Sequence, residues 1–460
     1  MRRLVCVLAS ASFLGACTLG PDFERPQIPV PDAYVEPVPS GETIANMPWW
    51  ELFQDEQLRL LIDTALAENK DLGIALARIN EARANLGFVR ADQFPFVNGV
   101  GRAARGRQSR EIFPGADTDN DFLLGGDLSF EVDLWGRLRR STESARAALL
   151  ATEESYRNVT ISLVANVASV YLLLRDLDER LEISESTVST RLESLRIVQA
   201  RFDKGTVPEI DVNQAEIEVA VAEVAVATFQ RQIVQAENAL RILLGRNPGP
   251  VVRGDALTDQ IFPPEIPAGL PSEIVQRRPD VLAAEQQLAA QTARIGAAEA
   301  LRFPSLTLTG FLGVESTDLS DLNSGDADLW NVSADIFAPI FNSGKLKSNV
   351  EVERARTEQL LYNYEATVQQ AFREVEDALV AIRTLRDEYA AQQRRVTAAQ
   401  NAARLSQARY DGGVVDYLEV LDSERTRFNA ELDQSATLQN YLNAIVLLYK
   451  ALGGGWPASP

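Results

Sequence analysis

The sequence contains no histidine and only two cysteines among its 460 residues. The missing histidine excludes imidazole acid–base catalysis and Ser-His-Asp triads, and it removes the commonest nitrogen ligand of transition metals. Aromatic residues are scarce at 7%, so a pocket that stacks a large planar ligand is not expected. After the N-terminal region, the sequence has no apolar run long enough to cross a bilayer as a helix. These absences indicate that the protein is not an enzyme and has no transmembrane helix.

The sequence also has few basic residues relative to acidic ones. It contains 45 basic and 65 acidic residues, so the formal net charge is −20. Nucleic-acid binding depends on basic surfaces over phosphates, so we expect no nucleic-acid partner. Ala, Glu, Gln, Arg and Leu dominate whole stretches, which is typical of long helices. The chain is too long for one compact core, and this length indicates more than one domain.

The N-terminus has the pattern of a bacterial lipoprotein signal peptide. Two arginines precede an apolar run that is too short to span a membrane and ends in Leu-Gly-Ala before Cys17. This ending resembles a lipobox, so we expect a signal peptide at 1–16 and a covalent lipid on Cys17. Cys6 would be removed, and Thr18 after the lipidated cysteine resembles lipoproteins of the outer membrane. An ordinary signal peptide followed by a chance cysteine is the alternative.

The two halves of the chain resemble each other at an offset of about 208 residues. Among the matching landmarks are Phe94-Pro95 with Phe303-Pro304, and Leu244-Gly245 with Leu452-Gly453. The sequence therefore predicts repeat 1 at 51–245 and repeat 2 at 272–453. Proline-rich segments form a strap at 17–50 and a linker at 246–271, and a short tail follows at 454–460.

Within each repeat the apolar spacing changes from helical to alternating and back to helical. In repeat 1 this predicts a helix at 55–91, strands at 94–107 and 122–135, a long helix at 137–203 and a helix at 209–244. In repeat 2 it predicts a helix at 272–302, strands at 304–316 and 328–342, a long helix at 344–411 and a helix at 416–452. Both long helices are predicted to reverse at a glycine-containing turn.

The helix at 209–244 carries apolar residues at alternating spacings of four and three, which predicts a coiled-coil seam. The seam residues are Ala215, Val219, Ala222, Val226, Phe229, Ile233, Ala236, Leu240 and Leu243. Its alanines allow a neighbouring helix to approach closely.

Four amphipathic strands of about ten residues have the length that crosses a bilayer when tilted. Four strands cannot close a barrel, and an open sheet edge is not tolerated in lipid. Several copies must therefore share one barrel. Two copies would give eight strands, whose interior is filled by side chains, whereas three would give twelve and leave room for water. A soluble antiparallel sheet with helices packed on it is the alternative.

The segment from Arg409 to Glu424, RYDGGVVDYLEVLDSE, resembles the second helix–turn–helix tip of the outer membrane factor family, which is also called TolC/OprM-like. The segments 201–206 and 211–215 resemble the first tip. The chain looks closest to the lipoprotein branch of this family, the NodT-type lipoproteins that serve RND efflux pumps. The resemblance covers the mature chain and implies an α+β membrane protein. In such a protein, a homotrimer forms a 12-strand β-barrel, four strands per chain, that a long periplasmic coiled-coil α-barrel continues.

The same resemblance implies a function and its partners. The chain would be the outer-membrane exit duct of a tripartite efflux system for small molecules, lipid-anchored in the outer membrane and extending into the periplasm. Its tip would be gated by a periplasmic adaptor, and an inner-membrane RND pump would complete the system. No enzyme activity, metal or cofactor is implied, apart from the covalent lipid on Cys17.

Motif positions assign candidate gating residues at the tip. Leu418 and Asp422 match the constriction pair, and Glu419 falls where another member has a second acidic ring. Tyr410 and Asp211 match positions that tie neighbouring tip coils together. The tip turns contain Gly205, Gly412 and Gly413. Some members have an arginine where this chain has Val415, so the tie depends less on that ion pair here. Without the resemblance, the alternative interpretation is that Asp422 and Glu419 are solvated residues on one face of a helix.

Two other functions stay open at this point. A duct for type I protein secretion would share the fold, although the lipobox favours efflux. A periplasmic adaptor or scaffold lipoprotein would also carry a lipobox and helical hairpins. It would lack two copies of paired amphipathic strands flanked by helices of this length.

Overall fold

The computed structural model describes residues 18–37, 43–260, 267–269 and 271–454. The predicted signal peptide and Cys17 lie outside these residues. The chain divides into two compact units. The first, which we call the sheet unit, consists of Met1–Ile28, Ala77–Glu153 and Ala283–Ala366. The second, which we call the helical unit, consists of Pro29–Leu76, Glu154–Leu282 and Thr367–Pro460.

The sheet unit contains one antiparallel sheet whose strands follow chain order. The strands are β1 (Phe96–Gly106), β2 (Asp119–Val132), β3 (Ser305–Ser316) and β4 (Asp328–Phe337). The central pair joins β2 of repeat 1 to β3 of repeat 2, with Gly125 opposite Gly313. The two repeats thus build a single sheet, and β1 and β4 are its edges.

The sheet is amphipathic, as the alternating pattern predicts. Leu124 lies opposite Gly101 on β1 and Val314 on β3, and Leu312 lies opposite Trp330 on β4. These residues belong to one apolar face. The opposite face is polar: the Asn98 amide donates to the Asp127 carboxylate at 3.0 Å, and the Thr309 and Ser333 hydroxyls are 2.8 Å apart.

Two strands end earlier than predicted. β2 ends at Val132 because Asp133 turns to the first turn of the following helix, where its carboxylate accepts from the Leu138 amide at 3.1 Å and the Arg139 amide at 3.0 Å. β4 ends at Phe337, two residues before Pro339, which has no amide to donate to a ladder.

The helices fall into the predicted order with two additional breaks. They are α1 (Trp49–Leu52), α2 (Glu56–Glu68), α3 (Lys70–Ala91), α4 (Arg137–Asp203), α5 (Glu209–Leu243), α6 (Pro271–Arg277), α7 (Pro279–Ala300), α8 (Lys345–Asp411) and α9 (Tyr417–Ala451). The 67 residues of α4 and the 67 of α8 match the predicted long helices. Short 3₁₀ turns occupy Ile44–Asn46, Leu257–Asp259 and Leu319–Asn323.

Both additional breaks have a local cause. The helix predicted at 55–91 divides at Asn69, whose side chain accepts from the Leu72 amide at 2.9 Å and donates to the Leu243 carbonyl at 2.8 Å. The helix predicted at 272–302 divides at Arg278, because Pro279 has no amide and disfavours helical geometry in the residue before it.

The coiled-coil seam of α5 is confirmed, because seven of its nine predicted positions are buried within the chain. Val226 and Leu243 are half-buried. Among the described helices, one contains an apolar window long enough to cross a membrane. That helix is α4, and half of the window is buried inside the chain, as in the core helix of a folded domain.

Candidate functional site at the helical turns

Each long helix reverses at a short turn in the helical unit. Gly205 and Gly413 both adopt a left-handed φ of 69°, which a glycine adopts without a steric penalty. In each turn a later amide reaches back to the helix, from Thr206 to the Arg201 carbonyl at 3.0 Å and from Val414 to the Arg409 carbonyl at 2.9 Å. These are the helix-ending bonds that a left-handed glycine permits.

The third predicted turn glycine has a different geometry. Gly412 donates to the Ala408 carbonyl at 3.1 Å, which continues the helical bonding, and it is not among the residues of positive φ. Two of the three predicted glycines therefore supply the left-handed conformation on which the turns depend.

A small apolar core joins the two hairpins at these turns. Its buried residues are Val198, Ala215, Tyr410, Tyr417, Val420 and Leu421. The rings of Tyr410 and Tyr417 have centroids 5.3 Å apart at 45°. Burial raises the pKa of the Tyr417 hydroxyl to about 12. The core draws on α4 and α5 from repeat 1 and on α8 and α9 from repeat 2, so it holds the two hairpins together.

Tyr410 contributes to this junction through its ring. The Arg201 guanidinium lies 4.7 Å from the Tyr410 ring centroid and 3.3 Å from the Asp411 carboxylate. Arg201 belongs to the first hairpin and both of its partners to the second, so this contact ties the hairpins by a cation–π contact and an ion pair. Within the described chain, the buried hydroxyl of Tyr410 has no hydrogen-bond partner.

Asp211, the second residue predicted to tie tip coils, lies in the first turn of α5 and is half-buried. Burial and the neighbouring Asp416 carboxylate raise the pKa of its carboxyl. The hydrogen bonds found in the described residues do not join it to Tyr410. A tie between these two residues stays a prediction about neighbouring copies.

The candidate constriction residues divide into two kinds. Leu418 and Asp422 are exposed and lie one helical turn apart on α9. Glu419 is engaged within its own hairpin, where the Arg409 guanidinium donates to its carboxylate at 2.8 Å. Asp416 caps the helix by accepting from the Glu419 amide at 3.3 Å. The exposed face of α9 therefore presents an apolar side chain and an exposed acid, while the Arg409 guanidinium compensates the charge of Glu419.

A buried ion cluster farther from the turns was not predicted from the sequence. Arg191 and Glu218 are each about 5% exposed at the side chain and are joined at 3.1 Å. The Arg191 Nη1 also donates to the Glu218 carbonyl at 2.6 Å, and its guanidinium lies 5.1 Å from the Phe428 ring centroid. The half-exposed Arg425 binds the same carboxylate.

Burial lowers the pKa of Arg191 in this cluster, although the Glu218 and Glu424 carboxylates raise it. The sequence offered one signal, which is that Glu218 directly precedes the seam residue Val219. Charged residues are rarely buried unless they are paired, and the partner Arg191 lies on a different helix.

A second site holds the start of the described chain in the sheet unit. The Leu19 amide donates to the Trp135 carbonyl at 3.1 Å. Arg140, which is 3% exposed, donates to the carbonyls of Leu19 and Gly20 at 3.1 and 3.2 Å and to the Asp22 carboxylate at 2.7 Å. A Cβ on Gly20 would lie 2.3 Å from the Cα of Gly296, so only glycine permits this approach. We call these contacts the N-terminal clamp.

No group of three potential metal ligands occurs in the part of the chain that the structure describes. At the turns, a small apolar core holds two hairpins together and α9 presents an exposed acid. A buried ion cluster joins the same hairpins farther from the turns.

Comparison with known proteins gives consistent matches over almost the whole chain. The family model described as outer membrane efflux protein matches residues 61–246 and 270–454. The chain is 36% identical over 450 residues to the cation efflux system protein CusC of Escherichia coli O6:H1, covering 96% of each. It is 37% identical over 456 residues to the toluene efflux pump outer membrane protein TtgI of Pseudomonas putida, covering 97% of each.

The fold matches solved structures equally well. The open state of the MtrE outer membrane channel of Neisseria gonorrhoeae superposes with a TM-score of 0.87 at 32% identity. The match covers 95% of this chain and 98% of that one.

Proposed function

The chain belongs to the outer membrane efflux protein family, and we propose that it is the exit duct through which a tripartite pump expels small molecules across the outer membrane. The observation that carries the proposal is the four-stranded sheet, which is apolar on one face, polar on the other and unpaired at both edges. Such a sheet suits a shared barrel wall, with lipid on one side and water on the other.

The unpaired edges support assembly from several copies. The amides and carbonyls of β1 and β4 need partners in lipid, where water cannot provide them. If β4 of each copy pairs with β1 of the next, three copies close a barrel of 12 strands that leaves a water-filled lumen. A homotrimer is therefore the assembly we propose.

The gate is proposed to lie at the helical turns. In the proposed trimer, three copies of Leu418 and Asp422 would meet at one axis, and both side chains are exposed within a single chain and so available for that contact. The leucines would narrow the neck, and the three carboxylates would concentrate negative potential in it. A periplasmic adaptor that separates the hairpins would open this neck, and an inner-membrane pump would deliver the substrate.

The anchor is proposed to be a lipid on Cys17. The N-terminal clamp supports this, because it fixes Leu19 to Trp135, three residues beyond the end of β2. A lipid attached two residues earlier in the chain would therefore stay close to the end of a strand that crosses the membrane. The names of relatives mention a cation and toluene as exported substances, and small molecules of this range are the class we propose here.

Two measurements test the proposed function. Deleting the gene in its own host should raise the susceptibility to small toxic compounds, and expressing the full chain should restore resistance. The purified protein should also insert into planar bilayers and give discrete conductance steps. A protein that forms no conducting pore and whose loss changes no susceptibility would contradict the proposal.

A further inference from the structure

The ends of the four strands that lie away from the helices carry an uneven distribution of charge. At this end, which we call the distal end, β1 and the residue after it provide Arg105 and Arg107. The distal ends of the other three strands are acidic. Their acidic residues are Asp119 and Asp121 on β2, Glu315 and Asp318 at the end of β3, and Asp326 and Asp328 at the start of β4. The basic strand is one edge of the sheet, and the other edge is acidic.

Within the chain, Arg102 compensates part of the acidic charge. It pairs with Asp121 and lies 3.5 Å from the Glu315 carboxylate. These residues belong to the polar face, because Arg102 lies opposite Leu123, which lies opposite Glu315. Arg102 therefore neutralises the like charges where β2 and β3 meet.

The next two arginines are not used in this way. The Arg105 Nη1 donates to the neutral side chain of Asn120 at 3.0 Å. Both Arg105 and Arg107 are exposed, and the ion pairs of the described residues include neither of them. Positive charge is thus left over on the β1 edge.

The β4 edge carries a surplus of negative charge. Asp326 and Asp328 are exposed, and no ion pair to them occurs among the described residues. Asp328 lies opposite Val314, a residue of the apolar face. Ala103 lies opposite Phe122, which is two residues from Leu124 on the same face, and Arg105 lies two residues beyond Ala103. Both charged side chains therefore belong to the apolar face of the sheet, at its distal end.

We propose that Arg105 and Arg107 of one copy bind Asp326 and Asp328 of the adjacent copy, so that ion pairs at the distal end select the β4-to-β1 junction. This inference rests on the shared barrel of the proposed function. The pairs cannot form within one chain, because β1 and β4 are separated by three strand spacings of about 4.8 Å each, or roughly 14 Å.

The arrangement also discriminates against wrong junctions. Two β1 edges would bring arginines together, and two β4 edges would bring aspartates together, so both unwanted pairings are repulsive. Only the junction that closes the ring brings opposite charges into contact. Exposed edge strands commonly need such protection against incorrect pairing.

Charge reversal tests the inference in the full-length protein in mild detergent. Arg105→Glu with Arg107→Glu, or Asp326→Lys with Asp328→Lys, should each shift the trimer towards dissociation about fivefold or more at low salt, the effect of one exposed ion pair per junction. The quadruple variant should recover most of the lost assembly. The differences should shrink in 1 M salt, where the Debye length is about 3 Å. Arg146→Glu, an exposed arginine on α4, is the matched control.

Two further results distinguish the possible failures. Ala104→Cys with Leu329→Cys should give cross-linked dimers and trimers with a bifunctional maleimide, and their absence would contradict the shared barrel itself. If cross-links form but the quadruple variant recovers nothing, the ion pairs are refuted and the barrel stands. If the arginine reversals weaken assembly and release co-purified lipopolysaccharide while the aspartate reversals do nothing, the arginines bind lipid phosphate and the inference is likewise refuted.

Discussion

Replacing Glu218 by glutamine should destabilise the helical unit far more than the loss of one charge from an exposed position. The carboxylate is buried between Arg191, which is equally buried, and Arg425, which is half-exposed. The variant keeps the side-chain shape but leaves the buried Arg191 guanidinium without the carboxylate that it pairs with, so that the more distant Glu424 is left as an opposing charge. Breaking a buried pair in this way costs about 3 to 5 kcal/mol. Removing Arg425 instead should cost only about 1 kcal/mol, since solvent screens a half-exposed partner.

The assay is thermal or denaturant unfolding of the detergent-solubilised protein, followed by circular dichroism of its helices. Glu216→Gln is the matched control, because Glu216 is exposed on the same helix and loses the same charge. This replacement should change the free energy of unfolding by no more than about 0.5 kcal/mol, the usual range for a surface substitution. Equal effects of Glu218→Gln and Glu216→Gln would refute the inference that the buried pair is energetically significant.

A double replacement sharpens the test. Arg191→Met together with Glu218→Leu removes both buried charges and substitutes apolar side chains of similar length. Because buried ion pairs barely outweigh their desolvation, this variant should be more stable than Glu218→Gln alone. If the double variant were as unstable as the sum of its single replacements, the cost would come from lost packing, with no part from an unpaired charge.

Three other outcomes are expected. Asp422→Ala should raise single-channel conductance and antibiotic uptake because it removes the exposed acid of the neck, whereas Asp387→Ala, at an exposed position on α8, should change neither. Arg140→Gln should release the N-terminal clamp at a cost of about 2 kcal/mol, seen as roughly 30-fold faster proteolysis of 18–25 than in Arg146→Gln. Burial raises the pKa of the Asp176 carboxyl above its ordinary value of 3.8. The folded state therefore binds a proton on Asp176 more tightly than the unfolded state, and the free energy of unfolding falls as the pH rises from 3.8 to the raised pKa. Asp176→Asn should flatten this fall in melting temperature, and an unchanged slope would exclude Asp176 as its source.

Features with a repeating pattern could be predicted from the sequence. The strands alternate with period two, and the long helices run without a proline, so their positions agree with the structure to within a few residues. The seam of α5 was predictable because apolar residues recur at every fourth and third position. In each case the signal lies within one element and needs no knowledge of its neighbours.

Features that depend on distant contacts were not predictable. The break at Asn69 exists because its amide group reaches the Leu243 carbonyl, 174 residues away. Arg140 is buried because the backbone around Leu19 and Gly20 lies against it. Nothing in the local spacing marks either residue, since asparagine and arginine are both ordinary on exposed helix faces.

The two acids that motif position assigned to the gate also differ in a contact that only the folded chain shows. Glu419 and Asp422 are one turn apart on α9 and look equivalent in the sequence. In the folded chain Arg409 compensates Glu419, whereas Asp422 stays exposed. A carboxylate that is already paired contributes little to the potential at an axis between copies, because the two opposite charges form a dipole whose field falls quickly with distance. Asp422, which forms no ion pair with the described residues, keeps its full charge. The electrostatic part of the proposed gate should therefore reside in Asp422, while Glu419 stabilises the hairpin on which Asp422 is carried.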